Sequence, residues 1–269
     1  MFTANSLKRA AAALAVAGVV WGGGGAPAAA TPPGPGKNQS AAAIDPAVVT
    51  GLTAMGKYLS GLTRFEFTAD TTIETVLRGG HQVEIGGTVH YFVQFPGHVR
   101  VDSETDTVKR QYFLDGKTFT IVAPAEGYYG QVPAKPTIRD TLIDAAQTLD
   151  VELPLADLYE WSDPATALKP FHRGFAVGTA KVDGVATDHY VLLGRNVDVE
   201  FWVQQGDTPL PLKIALVDHR VHGSPRFSAR LKWVTAPTFG DDVFTFTPGK
   251  EVVRIEVLKP EATTGKGGK

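Results

Sequence analysis

The chain has 269 residues, 28 acidic and 26 basic, for a formal net charge of −2, and it contains no cysteine. Near-neutral charge removes the basic patch on which nucleic-acid binding depends and gives no reason for docking to anionic lipid by charge alone. The missing thiols exclude disulfides and a cysteine-borne lipid anchor, while 43% hydrophobic and 20% charged residues are ordinary for a globular protein.

Lys8 and Arg9 precede an apolar run from Ala10 to Trp21, and Ala28-Ala29-Ala30 stands before Thr31. A basic region, a short apolar region and small residues at a cleavage point predict a signal peptide over residues 1–30. The apolar run is about 12 residues, against the roughly 20 that span a bilayer. The stretch 31–43 begins TPPGPGKNQS and reads as a disordered linker, and 258–269 reads as a disordered tail. One folded domain is expected between them, over 44–257. The expected location is the periplasm, with secretion as the second choice.

Asp45-Pro46 is a helix-start signal, and Val48, Val49, Leu52, Met55 and Leu59 recur at helical spacing after it. Beyond Gly61 the period becomes two. Phe65 and Phe67 face one way, then Val83 and Ile85, then Val89, Tyr91, Val93 and Phe95, then Val99 and Val101 after Pro96-Gly97. Asp115-Gly116 between two strand-like runs is a hairpin signal, so the strands form an antiparallel meander. The span 137–149 is helix-compatible, two shorter helical turns are expected at 154–161 and 164–168, and prolines punctuate the whole stretch. Strands then resume. Val197, Val199, Phe201 and Val203 alternate with Asp198, Glu200, Trp202 and Gln204. Leu212, Ile214 and Leu216 follow, then Phe227, Ala229, Leu231 and Trp233. One-face-apolar strands with segregated helices define an α+β class, and a twisted sheet of about ten strands curls towards a barrel. Side chains, the helices or a ligand must fill its concave face.

Several landmarks, taken in order, resemble the LolA/LolB lipoprotein-carrier superfamily. The closer resemblance is to a family of predicted periplasmic proteins, domain of unknown function 2092. The matching pieces are Leu62-Thr63-Arg64-Phe65-Glu66-Phe67, the run from Phe95-Pro96-Gly97 to Arg100, and Asp115-Gly116-Lys117-Thr118-Phe119 with Ala123-Pro124. Glu200-Phe201-Trp202-Val203, Leu210-Pro211-Leu212-Lys213-Ile214 and the run Asp242-Val243-Phe244-Thr245-Phe246-Thr247-Pro248, which with Asp241 before it fits a D-x-x-F-x-F-x-P signature, complete the set. The closer family also shares Ala43-Ile44-Asp45-Pro46, Gly127-Tyr128-Tyr129 and Glu152 to Leu158. The resemblance implies a half-open antiparallel barrel of about 10–11 strands, with helices on its concave face and an apolar cavity. One position departs: the carriers hold their lid with an arginine just before the proline of the second long strand, and here Phe95 stands there.

No catalytic signature emerges. His219 and His222 sit before Gly223 and Pro225, where a polar connection between strands is expected rather than a metal site. Asp188-His189 reads as a hydrogen-bonded surface pair. No G-x-S-x-G elbow or P-loop occurs, and Asp102, Glu104 and Asp106 lack the length of a calcium loop. No enzyme, metal or cofactor is expected. The candidate ligand-binding residues are Tyr91, Val93, Phe95, Phe119, Phe201, Phe227, Leu231 and Trp233, with Tyr159, Trp161, Tyr128 and Tyr129 as lid or rim. The expected partner is a hydrophobic small molecule or lipid. The alternatives are a cell-envelope interaction module whose barrel is filled by its own helices, and a hydrolase with an unrecognised site.

Overall fold

The computed structural model describes residues 44–257, apart from 78, 150, 152, 154, 156, 157, 159, 160 and 162. The segments expected to be signal peptide, linker and tail lie outside the described residues. The domain opens with α1 (Pro46–Gly61). Asp45 caps it by accepting a 2.8 Å hydrogen bond from the Ala47 amide, and Pro46 supplies the preset φ of a first helical residue. Val48, Leu52 and Met55 are fully buried, whereas Val49 points away from the sheet and is 38% exposed.

Six strands follow: β1 (Arg64–Val76), β2 (Gln82–Gln94), β3 (His98–Thr105), β4 (Lys109–Asp115), β5 (Thr118–Ala123) and β6 (Tyr128–Pro133). An insert carries α2 (Ile138–Thr148) and α3 (Pro164–Ala167). Then come β7 (Phe171–Val182), β8 (Val185–Gly194), β9 (Val197–Gln204), β10 (Pro211–Asp218), β11 (Arg226–Val234) and the short β12 (Val253–Arg254). All twelve lie in one sheet of order β12-β6-β5-β4-β3-β2-β1-β11-β10-β9-β8-β7. Each consecutive meander is antiparallel, the two join through antiparallel β1–β11, and only β12 runs parallel to its neighbour β6. The edges β7 and β12 do not pair, so the barrel is open. The count exceeds the expected 10–11 strands. β12 has two residues, too few for any periodicity to register, and β7 carries two register shifts that blur its alternation.

Strict alternation sets the register. In β9, Val197, Val199, Phe201 and Val203 are all buried, and a slip of one residue would send them to water. The Asp115-Gly116 turn forms as the sequence predicts. Gly116 takes φ +85°, and the Asp115 carboxylate accepts from the amides of Lys117 and Thr118 at 2.9 and 2.7 Å. The concave face is packed by α1 and by insert residues Ile138, Ala145, Val151, Leu158 and Trp161, all in one buried apolar cluster. Close approach of α1 is possible because two of its three glycines, Gly51 and Gly56, face its neighbours. A Cβ on Gly51 would collide with the Tyr190 ring, and one on Gly56 with the Trp161 carbonyl oxygen.

The convex face is not simply solvated. After β11 the chain crosses it as a strap in which Phe239 packs on Phe92 (5.5 Å between centroids), Phe244 on His98 (5.4 Å) and Phe246 between Phe113 and Tyr129 (5.4 and 5.1 Å). The Arg64 guanidinium lies over the Phe239 ring and donates to its carbonyl. Phe244 and Phe246 of the D-x-x-F-x-F-x-P run are thus anchors over His98 and Phe113, while Phe239 before them covers the outward-facing Phe92.

Asp218 closes the β10–β11 connection. Its fully buried carboxylate accepts from the Arg220 amide at 2.9 Å and from the guanidinium at 2.7 and 2.8 Å. Burial pushes the carboxyl up, but the Arg220 hydrogen bonds and charge outweigh it and hold Asp218 below the usual carboxylate range. A depressed folded-state value means stability that is complete above the unfolded value of about 3.9 and lost as pH falls through the folded one. The Tm gap between wild type and Asp218→Asn is therefore expected to be widest near neutrality and to narrow below about pH 4. Thermal melts across that range check it.

Candidate ligand-binding face

The central strands β1, β2 and β11 place their odd-numbered residues on the concave face, where they form an apolar strip that is continuous along β11 and interrupted on β1 and β2 by Thr71 and Gly87. Register pairs Phe65 with Val93, Phe67 with Tyr91 and Trp233, Ala69 with Val89 and Leu231, and Ile73 with Ile85 and Phe227. At the end where β1 begins, Phe67 packs on Tyr91 and Trp233 with centroids 4.7 Å from each. Phe65 joins Phe95 and Trp233 at 6.3 and 5.7 Å. Trp233 spends its indole N–H on the Pro211 carbonyl at 2.9 Å, leaving an apolar ring face. The middle of the strip is buried, and at the far end Ile73, Ile85 and Phe227 are half-buried.

The structure brings Tyr91, Val93, Phe119, Phe201 and Leu231 into the buried cluster, and leaves Phe95, Phe227 and Trp233 partly accessible beside it. Phe201 is fully covered, because Trp161 packs edge-on against it at 4.6 Å. Trp161, expected at a lid or rim, lies within the buried cluster at 2% exposure, wedged also against Phe171 at 6.3 Å. The proline-punctuated insert docks on α1 at Gly56 and carries the indole inward. Tyr159 lies outside the described residues. Tyr128 is 46% exposed on β6, and Tyr129 packs under the strap, so both stand at the sheet's β6 edge rather than over the apolar strip. Phe65, Ile73 and Ile85 are strip residues that the sequence reading did not single out, although the period-two pattern carried them.

Polar groups are few on this face. Tyr190 donates to Asp188 at 3.4 Å, and burial, then the Asp188 charge, push its phenol above the usual value. Asp188 also accepts from Gln205 at 2.6 Å. The expected Asp188–His189 pair does not form, since consecutive strand residues face opposite sides. His189 instead meets Glu200 at 2.9 Å and stacks on Trp202 at 4.0 Å. His219 meets Asp198 at 2.9 Å, and His90 meets Glu66 at 3.3 Å. Among the described residues no group of three or more His, Asp or Glu is placed to hold a metal ion. A groove of about 440 Å³ on the convex face is lined by Thr68, Asp70, Thr88, His90, Asp102 and Gln111 among others. Asp102 there is taken by Arg100 at 2.9 Å, and Glu104 by Lys109 at 2.8 Å.

A half-open antiparallel sheet wrapped on its own helices thus presents an apolar strip on its concave face. The chain belongs to the family described as predicted periplasmic protein (DUF2092), which matches residues 49–258. Among solved structures it is similar to LprF from Mycobacterium bovis, at 13% identity and TM-score 0.47, covering 77% of this chain and 99% of that one. It is similar to the lipoprotein LppX from Mycobacterium tuberculosis, at 13% identity and TM-score 0.43, covering 72% and 98%. A LolA superfamily protein from Nitrosomonas europaea matches at 10% identity and TM-score 0.35, covering 73% and 96%. No curated protein matches the sequence. Among the described residues no helix is long and apolar enough to cross a membrane.

Proposed function

We propose that the protein is a non-catalytic periplasmic binding or carrier protein for a lipid or acyl-bearing ligand, held on the concave face. The observation that carries this reading is the apolar strip, which runs from the half-buried Phe65, Phe95 and Trp233 to the half-buried Ile73, Ile85 and Phe227. Its middle is covered by α1 and the insert, so the insert is the gate and Trp161 the group a ligand displaces from Phe201. Apolar burial supplies the affinity, at about 25 cal/mol per Å² before ordering costs. The position of Phe95 removes the carriers' arginine latch, so closure rests on packing.

Native mass spectrometry of the protein from its own envelope, followed by lipid extraction, tests the reading. A stoichiometric lipid adduct is expected; a clean apo mass with no uptake of an apolar fluorescent probe overturns it. Replacing Phe227 with glutamate places a charge on the accessible end of the strip and is expected to weaken probe binding roughly tenfold or more, since about 1.4 kcal/mol is one decade. Fluorescence titration measures this. A second reading, an envelope interaction module with a self-filled barrel, is favoured by the complete burial of Phe201 and Leu52 beneath the chain's own elements. It predicts the apo mass.

A further inference from the structure

Strand β1 brings two hydroxyl groups onto the apolar face. Its concave residues run Ala69, Thr71, Ile73, Thr75, so two threonines flank Ile73 at the far end of the strip. Thr75 is 3% exposed, and its hydroxyl oxygen is buried without a hydrogen-bond partner among the described residues. Thr71 is half-buried between Ala229 and Gly87, with a methyl group on one side and no side chain on the other, which leaves its hydroxyl uncovered. Valine fills nearly the same shape and suits a strand as well, so the hydroxyls add nothing to the packing.

The charge beside them is already closed. Alongside Thr71 and Ile73 the concave side of β11 carries Ala229 and Phe227, and β10 carries Ile214 and Leu216, followed by Asp218. Asp218 is the charged group of this set, and Arg220 holds both its oxygens at 2.7 and 2.8 Å, so the pair is neutral as a whole. A carboxylate or phosphate brought here would leave water without gaining a free cation, at a large desolvation cost. An ester or hydroxyl oxygen loses far less and finds hydroxyl partners. We propose that the acyl ligand lies with its tail towards Phe67, Tyr91 and Trp233 and its polar end at Thr71 and Thr75, and that this end is uncharged, an ester bearing free hydroxyls as in an acylglycerol. The inference rests on the carrier reading and adds to it the direction of the ligand and the class of its head group. Thr75 is reached once the elements over the concave face part, which the carrier reading already requires.

The test displaces a neutral fluorescent probe, N-phenyl-1-naphthylamine, from the purified protein with monopalmitoylglycerol or with palmitate, at about pH 8, where a carboxylic acid is ionised. The glyceride is expected to compete at a concentration about tenfold or more below that of palmitate. Thr71→Val/Thr75→Val should remove most of that preference, and Thr71→Val alone part of it, while affinity for the probe stays at the wild-type value. The melting temperature of the double variant should equal or exceed that of wild type, since the change takes away an unbonded buried hydroxyl. A lost preference is then not the result of misfolding. Palmitate that competes as well as the glyceride, or a double variant that keeps the wild-type preference, overturns the proposal. A wild type that takes up neither probe nor lipid overturns the carrier reading itself, so the two failures are distinct.

Discussion

Replacing Trp161 with alanine is expected to cost about 3–5 kcal/mol of stability, the range for removing a buried large aromatic. The indole is 2% exposed and packs on both Phe201 and Phe171, so its loss leaves a void on the concave face rather than a dent at the surface. Under the carrier reading the same change uncovers Phe201. Apolar probe uptake should therefore rise even as the melting temperature falls. A protein in which stability drops and uptake does not change would have a filled barrel, and the interaction-module reading would gain. Denaturant melts and probe titration on the same preparation separate the two.

The second large effect is expected at Gly56. This residue faces the insert from α1, and a Cβ there would fall on the Trp161 carbonyl oxygen and lie 2.9 Å from the Pro164 ring. The carbonyl belongs to the backbone, so the insert must move bodily to make room, unlike the clash at Gly51, which meets only the end of the Tyr190 side chain. Alanine favours a helix interior over glycine by up to about 1 kcal/mol, whereas overpacking a close contact costs about 1–3 kcal/mol. The clash should win. Gly56→Ala is expected to destabilise by about 1–2 kcal/mol net, and Gly56→Val by more. Because Gly56 and Trp161 touch, the pair should not add: once Trp161 is alanine and the insert is loosened, the cost at Gly56 should shrink. A double-mutant cycle measures that coupling. Additive costs would show that α1 and the insert are held independently.

The sequence by itself determined the strand faces, the first helix and the domain's class. Those features are written in local periodicity. Val197 to Val203 alternate because one side of β9 is buried, and Asp45-Pro46 starts α1 because its cap bonds reach only two residues along the chain. Ordered motifs also placed the family, and the residue match bears that out over 49–258. Tertiary structure alone decided what covers each face. Phe92 and Phe113 break the polar side of their strands for a reason found more than a hundred residues away, in Phe239 and Phe246. Trp161 sits in a proline-broken stretch expected at a lid or rim, and is buried where Gly56 lets α1 and the insert close over β9. Such contacts join segments remote in sequence, and their sites depend on shape and volume, which no local pattern records.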